Sequence, residues 1–220
     1  MKINDRLKTI GDLVSANSFC LDVGCDHAFL DIYLVKKNIG INAIASDVLE
    51  GPLSQAKQNI KNEGLEDKIE TRLGDGLDTY SSEVDTIIIS GMGGRNMIGI
   101  FKKNLHVLDE IKTIIVSPNN YLEDVKRFLC RNGFIIDDEV MVKEKKFIYQ
   151  IIKFVRGKKR YSKKEYFFGP VFLQKKDDLF KEYYGRELKS REILLKNLPD
   201  KYVLKKIKIN KEIEMLKKEL

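Results

Sequence analysis

The sequence is poor in the residues that cross-link small proteins or bind metals. Its 220 residues include three cysteines and two histidines. Cys20, Cys25 and Cys130 form no C-x-x-C pair, so we expect reduced thiols rather than disulfides. Because soft ligands are so few, and none has the spacing of a metal site, we expect no structural zinc and no other metal.

Long apolar runs are also missing. No stretch of about 18 apolar residues occurs, so we expect no transmembrane helix and no membrane partner. The first residues, MKINDRLKTIGDLV, lack the apolar segment and cleavage site of a signal peptide. Together with reduced thiols, this favours a cytoplasmic protein. The apolar share of 43% is enough for the core of one catalytic domain with a small appendage.

Acidic residues are fewer than basic residues only in the carboxy-terminal part of the chain. Residues 156–220 contain 20 of the 40 Lys and Arg, but only 10 of the 33 Asp and Glu. The positive excess therefore lies there, and residues 1–155 are slightly acidic. A basic surface attracts a polyanion over roughly 8–10 Å at cellular salt, which favours a nucleic acid partner. The alternative is an ordinary solvated helix face in a lysine-rich protein.

Strand-like and helical patterns alternate along residues 4–155. Strands are predicted at residues 18–23, 42–46, 68–73, 84–90, 112–117, 134–142 and 147–155. Helices are predicted at residues 4–14, 28–37, 51–63, 94–103 and 121–131. This order predicts an α/β fold with a seven-stranded, doubly wound sheet, whose last two strands form an antiparallel hairpin.

A different pattern follows residue 155. Residues 156–168 are basic and aromatic without clear periodicity. From about residue 173, apolar residues recur every three or four positions, which indicates helix, and Pro199 interrupts the pattern. We therefore predict one Rossmann-like α/β domain over residues 1–155, and a basic connector with a helical hairpin over residues 156–220.

The first polar motif, DVGCDHA at residues 22–28, follows the first predicted strand. In an open parallel sheet, ligands bind beyond the carboxyl ends of the strands, where the strand order reverses. Gly24 lets the backbone approach a ligand closely. Asp22 and Asp26 favour the cationic sulfonium and ammonium groups of S-adenosylmethionine, because a dinucleotide pyrophosphate prefers a glycine-rich turn at a helix amino terminus. The alternative is a loop whose aspartates only cap the next helix.

Two further motifs follow the second and third strands. Asp47 stands where nucleotide-binding sheets place a carboxylate on the ribose hydroxyls, although it could instead cap the next helix. In the GDGL motif at residues 74–77, Asp75 could accept the exocyclic amine of adenine while Leu77 lies against its face. A tight Asp-Gly turn is the alternative there.

The fourth and fifth strands end in SGMGG at residues 90–94 and SPNN at residues 117–120. The glycines make a loop with little side-chain bulk, where substrate could meet cofactor. A fragment of a dinucleotide fingerprint is the alternative, although Asn96 replaces its third glycine. Asn119 offers both a donor and an acceptor to a base edge, unless the segment is an ordinary turn. No Asn-Pro-Pro-Tyr-like segment follows the fourth strand, which disfavours methylation of an exocyclic amine.

Taken together, these segments resemble the TrmK family of bacterial tRNA adenine-N1 methyltransferases over nearly the whole chain. Residues 6–7, 22–30, 50–52, 73–77, 90–94 and 118–119 carry the resemblance. It implies a class I S-adenosylmethionine-dependent methyltransferase fold with a coiled-coil-like extension, and methylation of N1 of adenine 22 in tRNA. The sequence departs from the family at Cys25, Asp47, Ser90 and Ser117, where serine, glutamate, alanine and glutamine are usual. Ser117 borders the presumed base pocket.

The motifs and the resemblance define three sets of candidate site residues. The cofactor-binding set comprises Asp22, Gly24, His27, Asp47, Val48, Asp75, Gly76, Leu77 and Ser90. The catalytic set comprises Asp26, Gly91, Met92 and Asn119. The RNA-binding set comprises Arg95, Lys158, Lys159, Arg160, Lys163 and Lys164.

The predicted reaction is methyl transfer from a sulfonium to a ring nitrogen in tRNA, by a chain expected to be monomeric. N1 of neutral adenine already has a free lone pair, so positioning can supply much of the rate. A paired adenine hides N1, so the target must be unpaired or splayed out. The alternative functions are a nicotinamide-dependent oxidoreductase and a non-catalytic RNA-binding protein on a methyltransferase scaffold.

Overall fold

The computed structural model of this chain describes residues 3–220, which form two compact units. The first unit ends at Arg160, and the second spans Tyr161–Leu220. In the first unit the strands are β1 (Ser18–Val23), β2 (Gly40–Asp47), β3 (Ile69–Leu73), β4 (Thr86–Ser90), β5 (Thr113–Ser117), β6 (Phe134–Glu144) and β7 (Phe147–Arg156). Its helices are α1 (Asp5–Asp12), α2 (Phe29–Lys36), α3 (Glu50–Asn62), α4 (Gly94–Lys103), α5 (Leu105–Leu108) and α6 (Leu122–Arg131).

The seven strands form one sheet in the order β3-β2-β1-β4-β5-β7-β6. Neighbours among the first five strands are parallel, whereas β7 is antiparallel to both β5 and β6. The strand order reverses between β1 and β4, which lie side by side although β2 and β3 come between them in the chain. The predicted doubly wound sheet with a closing antiparallel hairpin is therefore confirmed.

Apolar side chains cover both faces of the central strands. Ile87, Ile88 and Ile89 of β4 are fully buried, as a parallel strand between two helical layers requires. On one face, α1, α2 and α3 supply Ile10, Leu34 and Ala56 to a core that includes Ile88. Helices α4, α5 and α6 pack together, and the rule that such crossovers are right-handed predicts that they cover the other face.

Local signals set the ends of several helices. The Asn4 side chain accepts a hydrogen bond of 2.8 Å from the Leu7 amide and so caps α1. Gly64 follows α3 with φ +63°, a conformation that suits glycine at a helix end. Helix α5 and a 3-10 helix at Gly76–Thr79 were not predicted, since each is only four residues long and leaves no periodic pattern.

The second unit is helical throughout. Its helices are α7 (Lys163–Phe168), α8 (Pro170–Lys175), α9 (Asp178–Asn197) and α10 (Val203–Glu219). Helices α9 and α10 contact each other and form the predicted hairpin, which breaks around Pro199. The rings of Phe168, Phe180 and Tyr184 pack together, with centroids 4.7–5.9 Å apart.

Residues 156–168 show no clear periodicity in the sequence, yet the structure has α7 within them. Ser162 and Glu165 form a capping box that starts this helix, a local signal that periodicity does not report. Helix α8 was also missed, and it begins at Pro170, a favourable residue at a first helical position. Across residues 3–220, no helix is both long enough and apolar enough to cross a membrane.

Candidate active site

Loops carrying candidate site residues meet at the carboxyl edge of the sheet. The loop after β1 lies beside the loop after β4, because β1 and β4 are neighbours at the point where the strand order reverses. This is the position where open α/β sheets bind their ligands. The fold therefore brings residues 22–28 and 90–94 together, as the sequence predicted.

A cavity of about 340 Å³ opens at this edge. Six predicted site residues line it: Asp22, Gly24, Asp26, His27, Ser90 and Gly91. The others in its wall were not in any predicted set: Asn4, Arg6, Leu7, Cys25, Phe29 and Leu30. Hence residues from α1, which precedes the sheet in the chain, complete the cavity.

Asp22 is the main electrostatic feature of the cavity. Its side chain is only 5% exposed, yet it lines the cavity wall. Burial, followed by the nearby carboxylates of Asp31 and Asp47, raises its pKa well above the ordinary value. A cation bound in the cavity would lower that pKa again by compensating the buried negative charge. The buried carboxylate and its acidic neighbours therefore favour a positively charged ligand at this site.

Asp31, in the first turn of α2, is a second buried carboxylate in this region. It is 0% exposed, and neither carboxylate oxygen has a hydrogen-bond partner within residues 3–220. Burial raises its pKa to about 7. Because the unfolded chain releases this proton near pH 4, the folded state binds more protons between about pH 4 and pH 7. Its contribution to stability therefore falls as the pH rises through that range.

We expect Asp31→Asn to flatten the pH dependence of stability. The charged form of Asp31 costs up to about 1.4 kcal/mol per pH unit across that window, a cost that the amide avoids. Urea unfolding at pH 5 and pH 8 should show the variant gaining free energy of unfolding, relative to wild type, at the higher pH. Glu66→Gln, at an exposed position, is the control. Parallel pH profiles for Asp31→Asn and wild type would contradict this account.

Two glycines keep the backbone open around the cavity. Gly24 has φ +78° and Gly91 has φ +80°, and glycine adopts this left-handed region without strain. A Cβ added to Gly24 would touch the Met92 side chain at 3.4 Å. A Cβ added to Gly91 would meet only the Arg6 guanidinium, at 4.0 Å, and would occupy space that now belongs to the cavity. Both positions therefore favour close approach of a ligand to the main chain.

Asp47 organises the neighbouring turn. One carboxylate oxygen accepts a hydrogen bond of 2.9 Å from the Leu49 amide, and the other accepts one of 3.4 Å from the Asp26 amide. It does not cap α3 with its side chain, since Leu49 occupies the cap position. The carboxylate thus ties the loop after β2 to the loop after β1. Val48 is 63% exposed beside it.

The residues after β3 do not line the cavity. Asp75 forms an ion pair of 3.1 Å with Lys103, and its side chain is 65% exposed. Gly76 and Leu77 belong to the 3-10 helix, and the Leu77 side chain is buried at 2% exposure. The backbone nevertheless stays next to the site, because the Gly74 amide donates to the Asp47 carbonyl oxygen at 3.0 Å.

Asn119 fixes the glycine loop after β4. Its side-chain amide donates to the Gly91 carbonyl oxygen at 2.7 Å, and its backbone amide donates to the Met92 carbonyl oxygen at 2.9 Å. The same loop is held from the other side by the Gly91 amide, which donates to the Ser117 carbonyl oxygen. Three of the predicted catalytic residues, Gly91, Met92 and Asn119, are therefore in contact.

Arg6 is a charged cavity residue that lies outside every predicted set. It lies on α1, sixteen residues before Asp22, yet its guanidinium donates to the Ser117 carbonyl oxygen at 2.8 Å. Its guanidinium carbon also lies 4.3 Å from the centroid of the Tyr149 ring. No local pattern in the sequence reports these contacts, because they form only when α1 packs against the sheet. The one available signal was the resemblance at residues 6–7.

The predicted RNA-binding residues fall in three places. Arg95 stacks on the Tyr121 ring, 4.1 Å from its centroid, near the catalytic edge. In the first unit, Lys158, Lys159 and Arg160 line a cavity of about 420 Å³ together with Arg131. In the second unit, two lysines lie on α7, where Lys163 starts the helix and Lys164 forms an ion pair of 2.5 Å with Glu219.

A sequence model of the TrmK family, described as tRNA (adenine(22)-N(1))-methyltransferase, matches residues 20–218. The chain belongs to the TrmK family. The resemblance read from the sequence motifs is thereby confirmed, and so is the expected class of enzyme. Membership gives no support to the alternative of a nicotinamide-dependent oxidoreductase.

Individual TrmK proteins show the same relationship. The tRNA (adenine(22)-N(1))-methyltransferase of Bacillus subtilis is 30% identical over 153 residues, 69% of this chain and 64% of that protein. A candidate tRNA (m1A22) methyltransferase of Streptococcus pneumoniae, solved with S-adenosyl-L-methionine, is 31% identical with a TM-score of 0.92 over 100% of both chains. M. capricolum TrmK, solved with S-adenosyl-homocysteine, is 25% identical with a TM-score of 0.88, covering 99% of this chain and 97% of that one. The predicted class I methyltransferase fold with carboxy-terminal helices is thus confirmed.

Proposed function

We propose that this TrmK-family chain transfers the methyl group of S-adenosylmethionine to N1 of adenine 22 in tRNA. The observation that carries the proposal is the buried carboxylate of Asp22 in the wall of the cavity between β1 and β4. A buried negative charge beside open space favours a cationic ligand. Family membership supports the identity of that ligand and of the RNA substrate.

The residues at the sheet edge fit the methyl donor. Asp22 would face its positively charged amino-acid end, and Gly24 and Gly91 leave the room that a Cβ would fill. Asp47 would serve the ribose hydroxyls, a role that carboxylates at this position have in nucleotide-binding sheets. When bound, S-adenosylmethionine supplies a methyl group activated by its sulfonium. His27, Val48, Asp75, Gly76, Leu77 and Ser90 remain candidates for contacts to it.

The chain's own part in the reaction is to position the adenine. N1 of neutral adenine carries an in-plane lone pair, so no residue needs to remove a proton before methylation. The Asn119 amide nitrogen is engaged with Gly91, which leaves its carbonyl oxygen available to accept from the adenine amino group. Asp26, whose side chain is 72% exposed, could stabilise the positive charge of the methylated base. Holding the reacting atoms in line can lower the barrier by about 7–11 kcal/mol.

The direct test is methylation of an unmodified tRNA transcript. With S-adenosylmethionine, we expect nucleoside mass spectrometry to detect 1-methyladenosine, and reverse-transcription stops to map it to position 22. A transcript with guanine at that position is the control and should stay unmodified. Binding of both substrates without turnover would instead support the non-catalytic scaffold. Since tRNA is the substrate, we propose a cytoplasmic site of action, and we retain the prediction of a monomer.

We propose that Lys158, Lys159 and Arg160 contact the tRNA backbone. The antiparallel pairing of β5 with β7 places them beyond the amino ends of the parallel strands, opposite the catalytic edge. Changing all three to Gln should weaken tRNA binding and reduce the slope of log affinity against log salt by about 2–3, since each phosphate contact contributes about 0.7–0.9. Filter binding across a salt series measures both quantities.

A matched control removes the same charge elsewhere. Lys57, Lys61 and Lys68 are exposed near the β3 edge of the sheet, and changing all three to Gln should alter the salt slope by less than the first variant does. Both variants should bind S-adenosylhomocysteine as the wild type does. Equal effects of the two variants on tRNA binding would contradict a specific role for residues 158–160.

A further inference from the structure

The turn between β6 and β7 projects beyond the catalytic edge of the sheet. Strand β7 is antiparallel to β5, so its first residues lie at the carboxyl end of β5, where Val116 pairs with Ile152. Strand β7 begins at Phe147, five residues before Ile152, and Phe147 pairs with Glu144 at the end of β6. Because a strand rises about 3.4 Å per residue, Phe147 lies about 17 Å along β7 from Ile152. We call residues 143–147 the hairpin tip.

Contacts with α1 hold the hairpin tip beside the candidate active-site cavity. Arg6 lines that cavity, and its backbone amide donates to the Glu144 carboxylate at 2.8 Å. Its guanidinium carbon lies 4.3 Å from the centroid of the Tyr149 ring. Phe147 and Tyr149 are two residues apart, so they share one face of β7, and their ring centroids are 6.4 Å apart. An aromatic row therefore leads from the cavity wall to the tip.

The hairpin tip exposes an aromatic ring among positive charges. Phe147 is 54% exposed, and the Lys146 ammonium lies 5.3 Å from the centroid of its ring. Lys145, the first residue of the two-residue turn, has φ +53°, a conformation that such turns usually give to glycine. The tip contains three lysines and one carboxylate, and that carboxylate accepts from Arg6. An exposed ring beside lysines suits a partner with flat bases and negative phosphates.

The proposed substrate has this chemistry at the position where the tip lies. N1 of adenine can be reached only when the base is unpaired or splayed out, which leaves neighbouring bases without a stacking partner. Aromatic side chains stack on such bases, and lysines bind the phosphates between them. We propose, resting on the proposed function, that Phe147 stacks on an unpaired tRNA base next to the target adenine. Lys145 and Lys146 bind the adjoining phosphates, so the hairpin tip positions the RNA and takes no part in methyl transfer.

Replacing the ring without removing an apolar side chain tests the stacking. Phe147→Leu should raise KM for the tRNA transcript at least about fivefold, the lower end expected for stacking of one base, with little change in kcat. Phe147→Tyr keeps the ring and should behave as the wild type does. Methylation kinetics measure both parameters. Calorimetry should show unchanged affinity for S-adenosylhomocysteine in both variants.

The two lysines are tested by the salt dependence of tRNA binding. Changing Lys145 and Lys146 to Gln should lower the slope of log affinity against log salt by about 1–2, because each phosphate contact contributes about 0.7–0.9. Lys57 and Lys61 on α3 are also exposed, and changing both to Gln removes the same charge and should leave the slope unchanged. Equal slopes for the two double variants would overturn the assignment of the lysines.

A matched control for the ring is Ile41→Ala, which removes an exposed apolar side chain near the amino end of β2, at the opposite edge of the sheet. It should leave KM for tRNA unchanged. A wild-type KM in Phe147→Leu, or an equal rise in Phe147→Tyr, would overturn the stacking role. Dimers in the wild type that Phe147→Leu dissociates in sedimentation would also overturn it, by assigning the tip to a second copy of the chain. A wild type that leaves adenine 22 unmethylated would overturn the proposed function itself, and this inference with it.

Discussion

The Asp22→Asn variant should bind S-adenosylmethionine at least about 30-fold more weakly than the wild type. Removing one member of a buried, hydrogen-bonded charge pair costs about 2–5 kcal/mol, and each 1.4 kcal/mol is a factor of ten. Asp22 is 5% exposed and lies in the cavity wall, so solvent screens its interaction with a bound cation only weakly. Isothermal calorimetry with the purified chain measures the change.

The same substitution should stabilise the ligand-free fold at neutral pH. Burial and the nearby Asp31 and Asp47 raise the pKa of Asp22, so its charged form costs stability as the pH rises above about 4. Asparagine avoids that cost. A higher melting temperature together with weaker binding would therefore identify a site in which stability is sacrificed for binding. Asp67→Asn, at an exposed position, should change neither quantity, and unaltered cofactor affinity in Asp22→Asn would contradict the assignment.

The Lys126→Met variant should lose about 3–5 kcal/mol of unfolding free energy. Lys126 on α6 and Glu139 on β6 form an ion pair of 2.8 Å, and both side chains are 0% exposed. Removing one partner of a buried pair costs about that much, because the other buried charge loses this counter-ion. Urea unfolding at pH 7 should show the loss as a lower transition midpoint.

A double variant separates the charge effect from lost packing. Lys126→Met with Glu139→Gln should be more stable than Lys126→Met alone, because the remaining buried group is then neutral. Lys102→Met, at an exposed position on α4, should lie within about 0.5 kcal/mol of wild type. A loss below about 1 kcal/mol in Lys126→Met would contradict the importance of this pair.

Burial patterns explain why the strands could be predicted so closely. Ile87–Ile89 form a continuous apolar run, and its length and flanking polar residues leave a parallel strand as the best interpretation. Lys126 and Glu139 show the limit of the same reasoning. In the sequence each looks like a surface charge, and only the packing of α6 on β6 brings them together away from water.

The candidate site also contains residues whose position the sequence could predict and residues whose position it could not. Asp22, Gly24 and Gly91 could be predicted, because the carboxyl ends of neighbouring parallel strands must share one edge. Arg6 could not, since its contacts to Ser117 and Tyr149 join segments more than a hundred residues apart. The ion pair of Lys164 could not be predicted either, because its partner Glu219 lies 55 residues away in the sequence, at the far end of α10.

The central claim is that acidic and small residues at the carboxyl edge of the sheet bind the methyl donor. A crystal structure of this chain with S-adenosylhomocysteine tests it most directly. We predict density for the ligand between the loops after β1 and β4, with its amino-acid end beside Asp22 and its ribose beside Asp47. Ligand density elsewhere on the chain, with this cavity holding only water, would contradict the account.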